Sequence, residues 1–326
     1  LFAWPYVNKE IEDAVLDVVR RNVMSDNDIT QKFEKEFAKW QQRKYAVAYC
    51  NGTLSLQAAM FAIGLGAGDE IICPTKTYWA SCLSAQNLGA SVVFANVQPD
   101  SMNLDPNDLD RCLSPWTKAI IVVHYCGYPA DMDPIMAFAK KHNLKVIEDV
   151  SHAQGGMYKG KKLGTFGDIA GMSLMSGKSF ACGELGILVT DNKEYHDRAL
   201  ASLHYERNNE ENVDTEYLKE YYHMPLSGMK GRANQLCTAY ARVQLKSYDE
   251  RIAEIRKAVN YFWDRMEGCP GIHPHRVDES DGSNMAGWYC ARGLYRPEEL
   301  GGLSVTRFCE AVRAEGVGSC TPGCNN

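Results

Sequence analysis

Apolar positions in the first half of the chain fall into short continuous runs, separated by longer stretches with helical spacing. Residues 9–40 carry helical spacing, broken at VMSDND (23–28). KYAVAYC (44–50), DEIICP (69–74), SVVFANV (91–97), KAIIVVHYCG (118–127) and KVIEDVS (145–151) then read as strands. TLSLQAAMFAIGL (53–65), YWASCLSAQNLG (78–89) and DPIMAFAKKHN (133–143) read as the helices between them. Short apolar strands alternating with helices predict an α/β fold with a mostly parallel central sheet, covered by helices on both faces. From residue 235 helical patterns dominate, with one long amphipathic, charged stretch over 235–266. WYCARGLY (288–295) follows as a strand and VTRFCEAVRAEG (305–316) as a helix. With 326 residues, the chain is expected to divide into a large α/β domain over 1–245 and a smaller C-terminal α+β domain over 246–326.

Function in such a sheet gathers at the carboxyl ends of the strands. Asn51, Gly52 and Thr53, His124 and Tyr125, and Asp149 and His152 all fall there. Composition narrows the function classes. A net charge of -6 supplies no basic face for nucleic acid or anionic lipid, and no apolar run reaches the roughly 18 residues of a membrane span. LFAWPYVNKEIEDAV lacks the charged and apolar regions of a secretory signal. Most of the twelve cysteines sit singly in apolar stretches, as Cys50, Cys73, Cys82, Cys126 and Cys237 do. That scatter predicts a reducing cytoplasm and no disulfide framework. Cys320 and Cys324 form the one close pair, with no second pair to complete a zinc site, so no metal is expected.

CNGTLS places Gly52 and Thr53 between a strand and a helix, where helix N–H groups and a hydroxyl can hold a phosphate. The same residues also suit an ordinary helix cap on Asn51 or Thr53. Asp149 ends an apolar strand, so its carboxylate needs a cationic or hydrogen-bonding partner, in a site or in a structural ion pair. Tyr78 follows DEIICP and can lie flat on an aromatic ligand or pack in the core. Lys178, in SLMSGKSFACGELG (173–186), is set among small residues just ahead of the apolar run ILVT. A partly buried lysine of that kind can form a Schiff base with an aromatic aldehyde. A lysine, an aspartate for a pyridinium nitrogen and a helix-terminal phosphate site make together a pyridoxal phosphate (PLP) site.

Four segments in order resemble the PLP-dependent sugar aminotransferases of the DegT family, fold type I, from about residue 5 to about residue 320. They are NGTLSLQAAMFAIGLGAGDEIICPTKTYWAS, HYCGYPADMDPI, IEDVSHAQGGMYKGKKLGTFGDIAGMSL and SLMSGKSFACGELGILVT. The resemblance implies roles residue by residue. Lys178 is the Schiff-base lysine, Asp149 the carboxylate that keeps the pyridine nitrogen protonated, and His152 the neighbour of the ring oxygen. Gly52, Thr53 and the backbone of Leu54 form the phosphate cradle, Ser173 adds a hydroxyl to it, and Tyr78 stacks on the ring. Lys230, in GMKGRA, stands where the family has an asparagine that reaches the phosphate of a neighbouring subunit, and Leu185 replaces a usual glycine. The chain stops at CTPGCNN, where family members continue through another strand and helix.

What the resemblance implies is an aminotransferase with small-molecule substrates. It would move an amino group from glutamate or glutamine to a keto-sugar, nucleotide-linked, or to a keto-cyclitol, in a cytoplasmic homodimer with shared active sites. Two alternatives share the fold: a sugar dehydratase, whose members carry histidine in place of the lysine, and a non-catalytic PLP-fold regulatory protein. Lys178 weighs against the first, and Lys178, Asp149 and the phosphate residues together weigh against the second.

Overall fold

A computed structural model describes residues 7–286, 289 and 291–323. The chain opens with two helices, α1 (Lys9–Arg20) and α2 (Asp28–Gln41), separated where the sequence predicts a break. Seven strands build the central sheet: β1 (Tyr45–Tyr49), β2 (Glu70–Pro74), β3 (Ser91–Ala95), β4 (Thr117–Val123), β5 (Lys145–Asp149), β8 (Ile169–Ser173) and β9 (Gly186–Thr190). A two-stranded excursion, β6 (Met157–Tyr158) and β7 (Lys161–Lys162), interrupts the series. Between strands run α3 (Gly52–Ala62), α4 (Ala80–Gln86), the short α5 (Leu109–Cys112), α6 (Met132–His142) and, after β9, α7 (Lys193–Leu203).

The spatial order is β1-β9-β8-β5-β4-β2-β3. β9 pairs antiparallel with both β1 and β8, while every other pairing in the sheet is parallel. Because successive strand residues point to opposite faces, the core divides in two. Ala46, Ala48, Ile120, Val122, Val146 and Met172 belong to one cluster, and Val47, Tyr49, Ile121, Ile147, Ile169 and Leu188 to the other. Burial on both faces is why β4 reads AIIVV rather than alternating apolar and polar.

A buried ion pair ties α2 to β1. Arg207 Nη1 and Nη2 donate to Glu34 Oε1 and Oε2 at 2.8 Å each, and Ala48 N–H donates to Glu34 Oε1 at 2.8 Å. Both carboxylate oxygens and both terminal guanidinium nitrogens are paired, as burial of charge requires, while Arg207 Nε is left without a hydrogen-bond partner.

The long helical pattern over 235–266 is two helices, α8 (Gln235–Leu245) and α9 (Tyr248–Arg265). Ser247 takes a non-helical ψ of 9° at φ -119° and divides them. Tyr248 and Ile252 at the start of α9 join the first main cluster, whereas Trp263 near its end joins Met285 in a separate small one. A two-stranded ribbon, β10 (Ile272–Pro274) with β11 (Gly293–Tyr295), and α10 (Val305–Ala314) complete the described chain. β11 covers only the end of the strand expected over 288–295, part of which lies outside the described residues, as does Cys324. No helix of the described residues is long and apolar enough to cross a membrane, and no metal-binding cluster of His, Cys, Asp or Glu occurs among them.

Candidate active site

Register brings the polar strand ends together. Val123 pairs with Asp149 and Asp149 with Gly171, while Tyr49 and Ser173 both pair with Gly186. Asn51–Thr53, His124, Asp149–His152 and Ser173 therefore share one edge of the sheet, and the antiparallel course of β9 adds Glu184 from just before its start. A cavity of about 770 Å³ opens there. Gly52, Thr53, Tyr78, Asp149, His152, Ser173 and Lys178 line it; Leu54 and Lys230 do not.

At the phosphate end, Asn51 caps α3 by accepting the Leu54 N–H on Oδ1 at 2.9 Å. The Leu54 N–H thus serves the cap in this structure. The N–H groups of Gly52 and Thr53 lead the eleven-residue helix, whose dipole favours an anion there. Glycine is required at two points. A Cβ on Gly52 would lie 2.5 Å from Ser173 Cβ, and one on Gly186 would lie 2.1 Å from the Asn51 carbonyl oxygen. Without those Cβ atoms the start of α3 packs directly on Ser173 and on the start of β9, and Gly52, Thr53 and Ser173 all line the cavity. These residues fit the phosphate of PLP.

Asp149 is buried at the end of β5, and both of its oxygens are occupied. Ser81 Oγ donates to Oδ2 at 2.6 Å and Ser151 N–H to Oδ1 at 3.0 Å, while Thr77 Oγ1 donates to Ser81 Oγ at 2.7 Å. The relay Thr77–Ser81–Asp149 holds the carboxylate in one orientation. Its neighbour Glu148 points the other way and is structural: it accepts the N–H groups of Gly164, Phe166 and Gly167 at 2.7–2.8 Å.

His152 accepts the Cys126 N–H on Nδ1 at 3.2 Å, which assigns the proton to Nε2. Burial, with the nearby charges of Lys178 and Arg292, holds its pKa well below the ordinary histidine range, so the ring is neutral. It stacks on Tyr289 with centroids 4.0 Å apart and planes at 6°. Lys178 Nζ lies 4.1 Å from the centre of the same Tyr289 ring. Cys82, also in the cavity wall, has its thiol pKa brought down to about 7 by a hydrogen bond with Cys73.

The loop from Leu174 to Leu185 places Lys178. Leu174 N–H donates to Leu185 O at 2.8 Å, Ser176 N–H to Gly183 O at 2.9 Å and Lys178 N–H to Met175 O at 2.8 Å. Next to the lysine, Phe180 is fully buried against Phe37 and Tyr248, and Ser179 Oγ donates to Gln154 Oε1 at 3.1 Å. Gln154 Nε2 in turn donates to the carbonyls of Ser151 at 3.1 Å and Ser173 at 2.7 Å. One buried amide thus locks the lysine loop to the strand ends that carry Asp149 and Ser173.

Sequence reasoning missed Ser81, Gln154, Glu184, Tyr289 and Arg292. Ser81 follows Tyr78 by three residues on the same turn, which was a readable hint. Tyr289 and Arg292 reach the cavity from more than a hundred residues further along the chain, and no local pattern announces them.

The sequence profile of the DegT/DnrJ/EryC1/StrS aminotransferase family matches residues 5–321. A GDP-perosamine synthase of Escherichia coli O157:H7 is 34% identical over 256 residues, which are 78% of this chain and 68% of that protein. One of Caulobacter vibrioides is 37% identical over 235 residues, 72% of this chain and 61% of that protein. Among solved structures, an aminotransferase from Psychrobacter cryohalolentis superposes with a TM-score of 0.82 at 30% identity, covering 97% of this chain and 82% of the other. With a matching profile over nearly its whole length and a cavity whose residues fit PLP, the chain belongs to the DegT/DnrJ/EryC1/StrS aminotransferase family.

Proposed function

We propose that the protein transfers an amino group from glutamate or glutamine to a keto-sugar, with nucleotide-linked keto-sugars and keto-cyclitols as the acceptor class. One observation carries the reading: a lysine, a buried and doubly hydrogen-bonded aspartate and an anion-binding helix start face one cavity. When bound, PLP supplies an aldehyde for the amine and a ring that accepts electrons from the substrate carbon. Gly52, Thr53 and Ser173 hold its phosphate. Asp149 would hold the proton on the ring nitrogen, His152 would offer Nε2–H to the ring oxygen, and Tyr78 would cover the ring. Lys178 Nζ is the group that moves the proton on and off the substrate carbon. Purified protein loaded with PLP should change its absorbance on addition of L-glutamate or L-glutamine, and a keto-sugar should restore the starting spectrum. A spectrum unchanged by either donor would rule the reading out.

The working unit proposed is a homodimer whose active sites are shared. Among the described residues, those of the cavity's phosphate end, Gly52, Thr53 and Ser173, offer only neutral donors to a group of about two negative charges. Lys230 is outside its own cavity, about half exposed, and sits 4.0 Å from Glu206. Its loop is braced beside β1, with Cys50 N–H donating to Gly231 O at 2.8 Å and Gly231 N–H to Leu203 O at 2.9 Å. A two-fold interface would present each loop to the other subunit's phosphate. Lys178→Ala and Lys230→Ala subunits, each inactive alone, should regain part of the activity when mixed and exchanged, because one site of each hybrid keeps both lysines. Proven exchange without recovery would show that the loop is not shared.

A further inference from the structure

The cavity wall contains two cations among its described residues, Lys178 and Arg292. In the aminotransferase reading, on which this inference rests, the cofactor claims Lys178. An amino acid donor still brings an α-carboxylate into a space that already holds Asp149 and Glu184. That carboxylate needs a fixed positive partner when it leaves water. His152 cannot serve: its ring is neutral and its Nδ1 is committed to the Cys126 N–H. Lys230 lies outside the cavity.

We propose that Arg292 binds the α-carboxylate of the amino donor. Its guanidinium lies 5.6 Å from the centre of the Tyr125 ring, beside the wall formed by His152 and Tyr289. Lys178 Nζ lies 4.1 Å from the centre of the Tyr289 ring, Tyr289 stacks on His152, and the His152 ring lies 6.0 Å from that of Tyr125 beside Arg292, so one aromatic wall runs from the lysine to the arginine. A donor with its amine at Lys178 therefore has its carboxylate directed to the Arg292 side. A guanidinium suits the task because its planar fork can take both oxygens of a carboxylate.

The backbone behind Arg292 is braced for such a role. Arg292 immediately precedes β11, which pairs with β10, and the His275 N–H donates to the Arg292 carbonyl at 3.2 Å. His275 is itself buried, donates Nε2–H to the Ser101 carbonyl at 2.8 Å and stacks on Tyr128 with centroids 5.0 Å apart. The C-terminal ribbon is thus tied to the body that carries Lys178, and Arg292 enters the cavity from a rigid support rather than a free loop.

The test uses PLP-loaded wild type, Arg292→Gln and Arg292→Lys, with the donor half-reaction followed by absorbance. Arg292→Gln should raise the apparent Kd of L-glutamate and L-glutamine roughly ten- to a hundred-fold, the loss expected of a charge-assisted hydrogen-bonded pair. Arg292→Lys should recover part of it. Wild type should prefer L-glutamate strongly over its α-amide, and Arg292→Gln should lose that preference while its PLP content and acceptor KM stay unchanged. Unchanged donor Kd in Arg292→Gln would overturn the proposal, and so would a raised acceptor KM with donor binding intact. Wild type that shows no absorbance change with either donor would refute the aminotransferase reading instead, and this inference with it.

Discussion

Lys178→Ala is expected to yield a folded protein that no longer holds PLP covalently and has lost transamination. The side chain is only partly buried, and its loop is held by other groups: the Lys178 backbone N–H, Ser179 Oγ and the buried Phe180 ring. Removing the amine should therefore shift stability by no more than about 0.5 kcal/mol. The activity loss is much larger. Proton transfer by a positioned group is worth roughly 10²–10⁴-fold, and the variant also loses its attachment point for the cofactor. Borohydride reduction of the wild type followed by peptide mapping should place the cofactor on the 173–186 segment. A label on Lys76, Lys159 or Lys230, or a Lys178→Ala variant with activity near wild type, would defeat the assignment.

Much of this architecture was legible because it is local. Continuous apolar runs such as AIIVV and GILVT report strands buried on both faces, and they need no knowledge of their neighbours. The candidate residues at the strand ends were equally visible, since Gly52, Asp149 and Lys178 each interrupt an apolar pattern with a residue that requires a reason. What escaped were partnerships across the fold. Ser81 looks like any helix-surface serine until the fold carries the start of α4 to the end of β5 and its hydroxyl meets Asp149 at 2.6 Å. Gln154 gains its function only where the ends of β5 and β8 meet the lysine loop. The split between α8 and α9 also escaped, because the amphipathic pattern continues through Ser247 while the backbone does not. At Leu54 a local effect is at work instead: the Asn51 cap engages the N–H that the resemblance assigns to the phosphate.

Asp149→Asn should separate an electronic role from a structural one. As a mere partner for Ser81 and Ser151, the carboxylate could be replaced by an amide at modest cost. The amide oxygen can still accept one of the two bonds, and losing the other costs about 1 kcal/mol. Ser81 can adapt, because its hydroxyl already accepts from Thr77 and can accept from the new amide as well. The variant is expected to fold, with a Tm lowered by a few degrees, and to bind PLP through the phosphate end, which Asp149 does not touch. Its half-reaction should nonetheless slow on the order of 10²–10³-fold, the scale of removing one preorganised electrostatic group. A neutral amide gives a ring-nitrogen proton no countercharge, so the ring no longer draws electrons from the substrate carbon. Tm, PLP content and the half-reaction rate measured on one preparation distinguish the cases. A large fall in Tm with a rate near wild type would make Asp149 a structural residue and remove it from the site.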